Sequence, residues 1–181
     1  MNIQNSARLG FRLMTENDAQ LLYELDQDPA VMAHINGGIA NSMTDIQEIY
    51  IPRLISFTHK EKGWGLWHTS LLSNNEFIGW ILVRPMGFFE GNKNTLDLEL
   101  GWRFKQSSWG KGYATEAAQQ VANTICKVHP ELQALSATAL VENHGSLKVM
   151  KNIGMKYIKN YIYNDPCGDH DAVLYRKSLR Y

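Results

Sequence analysis

Residues 96–128 constrain the fold more than any other part of the chain. Leu96, Leu98, Leu100, Trp102 and Phe104 alternate with Asp97, Glu99, Gly101 and Arg103. That period of two belongs to a β-strand with one apolar and one polar face. A short turn with two glycines follows, and then a helical pattern begins. Over 112–128, Ala114, Ala117, Ala118, Val121, Ile125 and Val128 recur on one face, and Pro130 ends the run. Alanines in the first turns let such a helix lie close to whatever it packs on. A further strand is expected over 135–141. Strand, loop, helix and strand in this order describe a crossover unit and place the chain in the α/β class.

The flanking segments fit around that unit. Residues 8–13 read as a first strand. Thr15 and Asp18 have the spacing of a capping box, so a helix is expected to run to about Leu25. Asp28-Pro29 opens another helical piece, which Gly37-Gly38 breaks. A longer helix is expected over 44–62, kinked or divided at Pro52. Strands over 64–72 and 77–84 are joined by Ser73-Asn74-Asn75, which is hairpin chemistry. Residues 86–94 form a loop and 143–152 a short helix, with Gly154 in the left-handed position behind it. Strands over 155–163 and 172–177 complete one domain spanning 1–181.

Bulk properties narrow the partners. The chain has 181 residues, 18 basic and 18 acidic, with 44% hydrophobic residues. This balance offers no electrostatic case for nucleic acid or a membrane surface. No apolar run approaches a spanning length, and the first residues lack a signal-peptide core, so a cytoplasmic monomer or homodimer is expected. Cys126 falls in the helical pattern and Cys167 in a turn; they form no disulfide framework. The six histidines show no HExxH or similar spacing, and no metal site is expected.

The turn SSWGKGYATEA invites an anion. A phosphate-binding P-loop fails at both ends: Lys105 stands where its first glycine belongs, and Gly112 follows Lys111 in place of Ser or Thr. A dinucleotide fingerprint would use Gly110 and Gly112, but its third position is Thr115 and its strand ends early. A helix N-terminus can instead hold a pyrophosphate with backbone amides. A tight connection that binds nothing is the remaining alternative.

The stretch ELGWRFKQSSWGKGYATEAAQQV, followed by ENHGSLKVMKNIGMKY, resembles the GNAT superfamily of acetyl-CoA-dependent N-acetyltransferases. Within it, WGKGYATEA resembles the RimJ/RimL-like branch, whose members acetylate protein N-termini. The resemblance covers about residues 96–163, and one letter departs from the pattern: Ser107 stands where Gln or Arg is usual. It implies a GNAT (acyl-CoA N-acyltransferase) fold, with a mixed central sheet of about seven strands flanked by helices and with splayed central parallel strands. It implies acetyl-CoA as co-substrate, with pantetheine along Trp102, Arg103 and Phe104 and pyrophosphate on the amides of Trp109, Gly110, Lys111, Gly112, Tyr113 and Ala114. Asn143 and Ser146 follow from its N-x-x-S position, Ser146 beside the thiol. An amine acceptor enters opposite. Glu99 is then the candidate base, with Asp97 farther away. Tyr157, Tyr161 and Tyr163 are rival proton donors. Trp64, Trp67, Arg84, Phe88 and Phe89 are possible acceptor-site walls. A module of the same fold that binds CoA without turnover is the alternative.

Overall fold

A computed structural model describes residues 1–165 and 168–179. In chain order it contains β1 (Leu9–Leu13), α1 (Ala19–Leu25), α2 (Pro29–Asn36), α3 (Met43–Asp45), α4 (Ile51–Phe57), β2 (Gly65–Leu71), β3 (Phe77–Met86), β4 (Asn94–Phe104), α5 (Tyr113–Val128), β5 (Ala134–Leu140), α6 (His144–Asn152), β6 (Lys156–Asp165) and β7 (Gly168–Ser178). Seven strands form one sheet in the order β1-β2-β3-β4-β5-β7-β6. Only β4 and β5 pair in parallel among the described residues, because α5 carries the chain back across the sheet between them. The other neighbours are antiparallel.

Two apolar layers sandwich the sheet. On one face, Ala117, Ala118, Val121 and Ile125 of α5 are fully buried against Ile81, Val83, Leu98 and Leu100. The small residues bring the helix close to the strands, as their spacing predicts. On the other face, Leu22, Ile46, Leu54 and Phe57 pack on Leu66 and Leu82. The α1–α4 region therefore roofs the face opposite α5.

Local signals were accurate where they needed only nearby atoms. Thr15 and Asp18 form the expected capping box. Asp28 caps α2 with Pro29 in its first turn, and Gly37 closes it at φ 79°. Pro52 does not divide its helix. Ile46–Tyr50 forms a π turn between α3 and α4, directly ahead of the proline. The wider turn relieves the clash between the Pro52 ring and the carbonyl four residues back. The helix also ends at Phe57, not Lys62, since Lys60, Glu61 and Lys62 offer no apolar face to bury.

Candidate functional site

The parallel pairing of β4 with β5 is short. It covers Asp97↔Ala134, Leu98↔Leu135 and Glu99↔Ser136, then stops. Beyond Glu99, β4 continues to Phe104 without a neighbour on that side, while β3 pairs its other side down to Phe104. The strands splay, and the free edge of β4 faces a cavity of about 510 Å³. Trp102, Arg103 and Phe104 line it from β4, Trp109, Gly110, Gly112, Tyr113 and Ala114 from the loop and first turn of α5, and Asn143 and Ser146 from the cap and first turn of α6. Widely separated segments named from the sequence thus converge on one cavity. Val31, His34 and Ile35 of α2 also line it, and nothing in their local pattern marks them.

The glycine turn has the conformation its letters require. Gly110 and Gly112 have φ 73° and 78°, in the left-handed region that favours glycine. The first helical bond of α5 runs from the Glu116 amide to the Gly112 carbonyl, so the amides just before Glu116 have no acceptor within the helix. The expected row of free amides is shorter by one residue: the Trp109 amide already donates to the Gln106 carbonyl. Trp109 contributes differently, with its indole N–H donating to the Phe104 carbonyl at 2.9 Å and tying the loop to the end of β4. Lys111 does not line the cavity; its carbonyl accepts from Arg8 at 3.1 Å. Ser107 is exposed and outside the lining, whereas Ser108 is buried and within it.

A clamp invisible in the sequence holds the turn. Arg8 donates to Glu116 at 2.7 Å, and its guanidinium lies 4.5 Å from the centre of the Tyr113 ring. Ser6 and the Arg8 amide also donate to Glu116. Burial pushes the Glu116 carboxyl up, but these bonds outweigh it and hold the group below the usual carboxylate range.

Ser146 accepts a hydrogen bond from the Trp102 indole at 3.1 Å. Its backbone amide donates to Asn143 Oδ1 at 3.0 Å, so Asn143 caps α6 as expected.

The polar face of β4 is not solvated. Asp97 and Glu99 are 3% and 7% exposed, because the neighbouring strands β3, β5 and β7 supply their partners. Glu99 faces Arg84 across the β3–β4 register and pairs with it at 2.7 Å, both side chains buried. Asp97 accepts from Ser136 at 2.8 Å and pairs with Arg176 at 2.7 Å. Burial pushes the Asp97 carboxyl up, against the pull of Ser136 and Arg176. This cluster pins β4 to β5 where they are about to part. Arg103 pairs with Asp26 at the end of α1.

A second cavity of about 160 Å³ lies under the helical roof, bordered by Asp26, Tyr50, Trp80, Arg84 and Arg103 among others. Arg103 borders both cavities. Of the expected acceptor walls, Arg84 borders this cavity, and Phe88 and Phe89 pack edge-on to Phe57, which lines it. Trp64 and Trp67 do not take part: both are buried in the core on the α5 face. Strand parity explains this for Trp67, since its neighbour Leu66 is the residue facing the roof. Tyr161 bonds to Thr138 at 2.7 Å, and burial pushes its phenol up to about 12, so it stays protonated. Tyr157 is exposed and bonds to Asn160. The Tyr163 side chain and Cys167 lie outside the described residues.

A family model described as the acetyltransferase (GNAT) domain matches residues 8–156. The chain belongs to the GNAT acetyltransferase family. A relative in Bacillus subtilis, the uncharacterized N-acetyltransferase YnaD, is 32% identical over 82% of this chain and 79% of its own. The FsC-acetyl coenzyme A-N(2)-transacetylase of Aspergillus fumigatus is 25% identical over 90% of this chain and 69% of its own. The crystal structure of a GNAT-family acetyltransferase from Bacillus anthracis superposes with a TM-score of 0.75 at 25% identity, covering 98% of both chains. Two more distant structures share the GNAT fold. Aminoglycoside acetyltransferase AAC(6')-Ib, with coenzyme A and kanamycin, has a TM-score of 0.74 at 19% identity over 94% of this chain and 95% of its own. RimL, the ribosomal L7/L12 α-N-protein acetyltransferase, has 0.74 at 14% over 99% and 98%. Among the described residues, no three His, Cys, Asp or Glu gather as metal ligands would, and no helix is long and apolar enough to cross a membrane.

Proposed function

We propose that this protein is an acetyl-CoA-dependent N-acetyltransferase, moving the acetyl group to a primary amine by direct attack in a ternary complex. The observation that carries this reading is the cavity where the unpaired edge of β4, the Gly110/Gly112 turn and Ser146 meet. A free strand edge offers backbone donors and acceptors to an amide-bearing arm such as pantetheine. Amides without helical acceptors, at the positive end of the α5 dipole, suit a pyrophosphate. Coenzyme A in the structures of AAC(6')-Ib and RimL, which share the fold, supports the same ligand here. WGKGYATEA supports a RimJ/RimL-like branch and puts peptide N-termini first among acceptors to try.

Acetyl-CoA supplies the activated acyl group; the chain supplies orientation and proton management. The attacking amine must be neutral, yet α-amino groups have pKa values near 8 and lysines above 10. Glu99 is the proposed proton acceptor, through water, since its side chain borders neither cavity. A backbone amide of the β4 edge would donate to the oxyanion. Ser146 is the proposed donor to the departing thiolate. Its oxygen already accepts from Trp102, and its own O–H remains to give. Ser146 is placed for this better than Tyr161, which does not line the cavity. No covalent enzyme intermediate is needed, so neither cysteine is assigned a role.

A free-thiol assay with acetyl-CoA and a panel of amines tests the reading. The panel holds ribosomal N-terminal peptides, an aminoglycoside, free amino acids and a polyamine. Thiol release with at least one amine is expected. Saturable acetyl-CoA binding without release for any amine would instead make the protein a CoA-binding module.

The turn itself has a sharper test. A Cβ added at Gly112 meets nothing closer than Arg8 Nη2 at 3.6 Å, so space is available. The left-handed φ is the obstacle, costing a side chain about 1–2 kcal/mol. A valine turn that relaxes out of this conformation in the free protein must be returned to it on binding, so Gly112→Val should weaken coenzyme A binding by up to about 30-fold, since each 1.4 kcal/mol is tenfold. Titration calorimetry reads the change, and an unaltered affinity would remove this turn from the binding site.

A further inference from the structure

One hydroxyl in the wall of the larger cavity has nothing to bond to. Ser108 closes the short 3-10 turn Gln106–Ser108, two residues ahead of Gly110. It is 6% exposed and lines the cavity. Its amide donates to the Lys105 carbonyl at 2.9 Å, and the Trp109 amide donates to the Gln106 carbonyl. Both amides ahead of Gly110 are therefore spent. The Ser108 hydroxyl is not, since it has no hydrogen-bond partner among the described residues. Nor is it sealed. The unpaired side-chain atoms that are fully enclosed are Trp80 Nε1 and Arg103 Nε, and Ser108 Oγ is not among them. A buried residue with an open, unpaired hydroxyl in a cavity wall offers that hydroxyl to whatever fills the cavity. Among the described residues, no Asp or Glu lines this cavity, whereas Lys148 does, so an anion meets no like charge there. Ser107, by contrast, is exposed and off the wall.

We infer that the Ser108 hydroxyl donates to a pyrophosphate oxygen of the cofactor, in place of a side chain at position 107. It extends the donors of the glycine turn to where the backbone amides are already used. The inference rests on the acetyl-CoA reading for its ligand and adds a binding residue to it. A pyrophosphate oxygen accepts, and a hydroxyl can turn to donate. A hydrogen bond to a charged acceptor is stronger than one between neutral groups. Removing this hydroxyl breaks no bond within the free protein. Ser108 differs in this from Asn143 and Glu116, whose side chains hold the helix start and the turn before any ligand arrives.

The test is titration calorimetry of coenzyme A and 3′-dephospho-coenzyme A with wild type, Ser108→Ala and Ser107→Ala, alongside thermal melts without ligand. Ser108→Ala should weaken both ligands about tenfold, the scale of one hydrogen bond to a charged group. It should leave the ligand-free melting temperature within about 2 °C of wild type. Ser107→Ala should bind both ligands as wild type does. Unchanged affinity in Ser108→Ala overturns the inference. So does a loss confined to coenzyme A, which puts the contact on the ribose phosphate. A loss matched by Ser107→Ala, or one accompanied by a clearly lower melting temperature, overturns it as well, the latter being the mark of a hydroxyl that holds the turn. A wild type that binds neither ligand fails at an earlier step and removes the acetyl-CoA reading together with this inference.

Discussion

Glu99→Gln is expected to lower kcat/KM for the amine by about 100-fold or more at pH 7, within the usual range for loss of a general base. The substitution keeps the shape and removes the group's ability to take a proton. An acceptor amine with a pKa near 8 is only about one-tenth neutral at pH 7 and about nine-tenths neutral at pH 9. The deficit of the variant should therefore narrow as pH rises, because more of the amine arrives already deprotonated. A purely structural role for Glu99 predicts a deficit that stays constant with pH. Coenzyme A affinity should be unchanged, since Glu99 lies where the strands are still paired and does not line the larger cavity. If turnover is unaffected at every pH, the proton leaves by another path and Glu99 has no part in it.

How much of this site could be read from the letters depends on the distance between partners along the chain. The glycine turn, the capping box at Thr15 and the Asn143 cap are contained within a few residues, and each appears where expected. The alternation from Leu96 to Phe104 correctly identified a strand with two unlike faces, but not the environment of the polar one. Asp97, Glu99 and Arg103 look like solvent-facing residues because their partners are remote. Ser136 is 39 residues from Asp97, and Asp26 is 77 from Arg103. Arg8, which holds the turn through Glu116, is 108 residues away from it. Helix length failed for a related reason. Residues 58–62 carry no opposing helical signal, and only the position of β2 and the end of the buried face at Phe57 stop the helix. The letters around Trp67 leave its side of the sheet open, because parity within a strand says which residues share a face and not which face meets which layer; the fold puts it in the core on the α5 side.

The ion pair beneath the proposed base makes the largest expected effect on stability. Arg84 and Glu99 are 8% and 9% exposed at their side chains and 2.7 Å apart. Removing one member of such a pair leaves the other charge buried without its counter-ion, which costs about 3–5 kcal/mol. Arg84→Met should therefore lower the melting temperature by about 6–20 °C, at about 2–4 °C per kcal/mol for a chain of this size. Arg84→Met with Glu99→Gln removes both charges and should recover most of that loss, since a buried pair replaced by neutral residues of similar volume is often near neutral. The double variant should nonetheless stay as slow as Glu99→Gln alone. Recovered stability without recovered turnover is the pattern that separates the two jobs of Glu99, holding Arg84 in the folded protein and taking a proton from the amine. Thermal melts and thiol-release rates on the four proteins complete the cycle. If the double variant regains turnover along with stability, the kinetic loss in Glu99→Gln came from breaking the Arg84–Glu99 ion pair and not from a missing base.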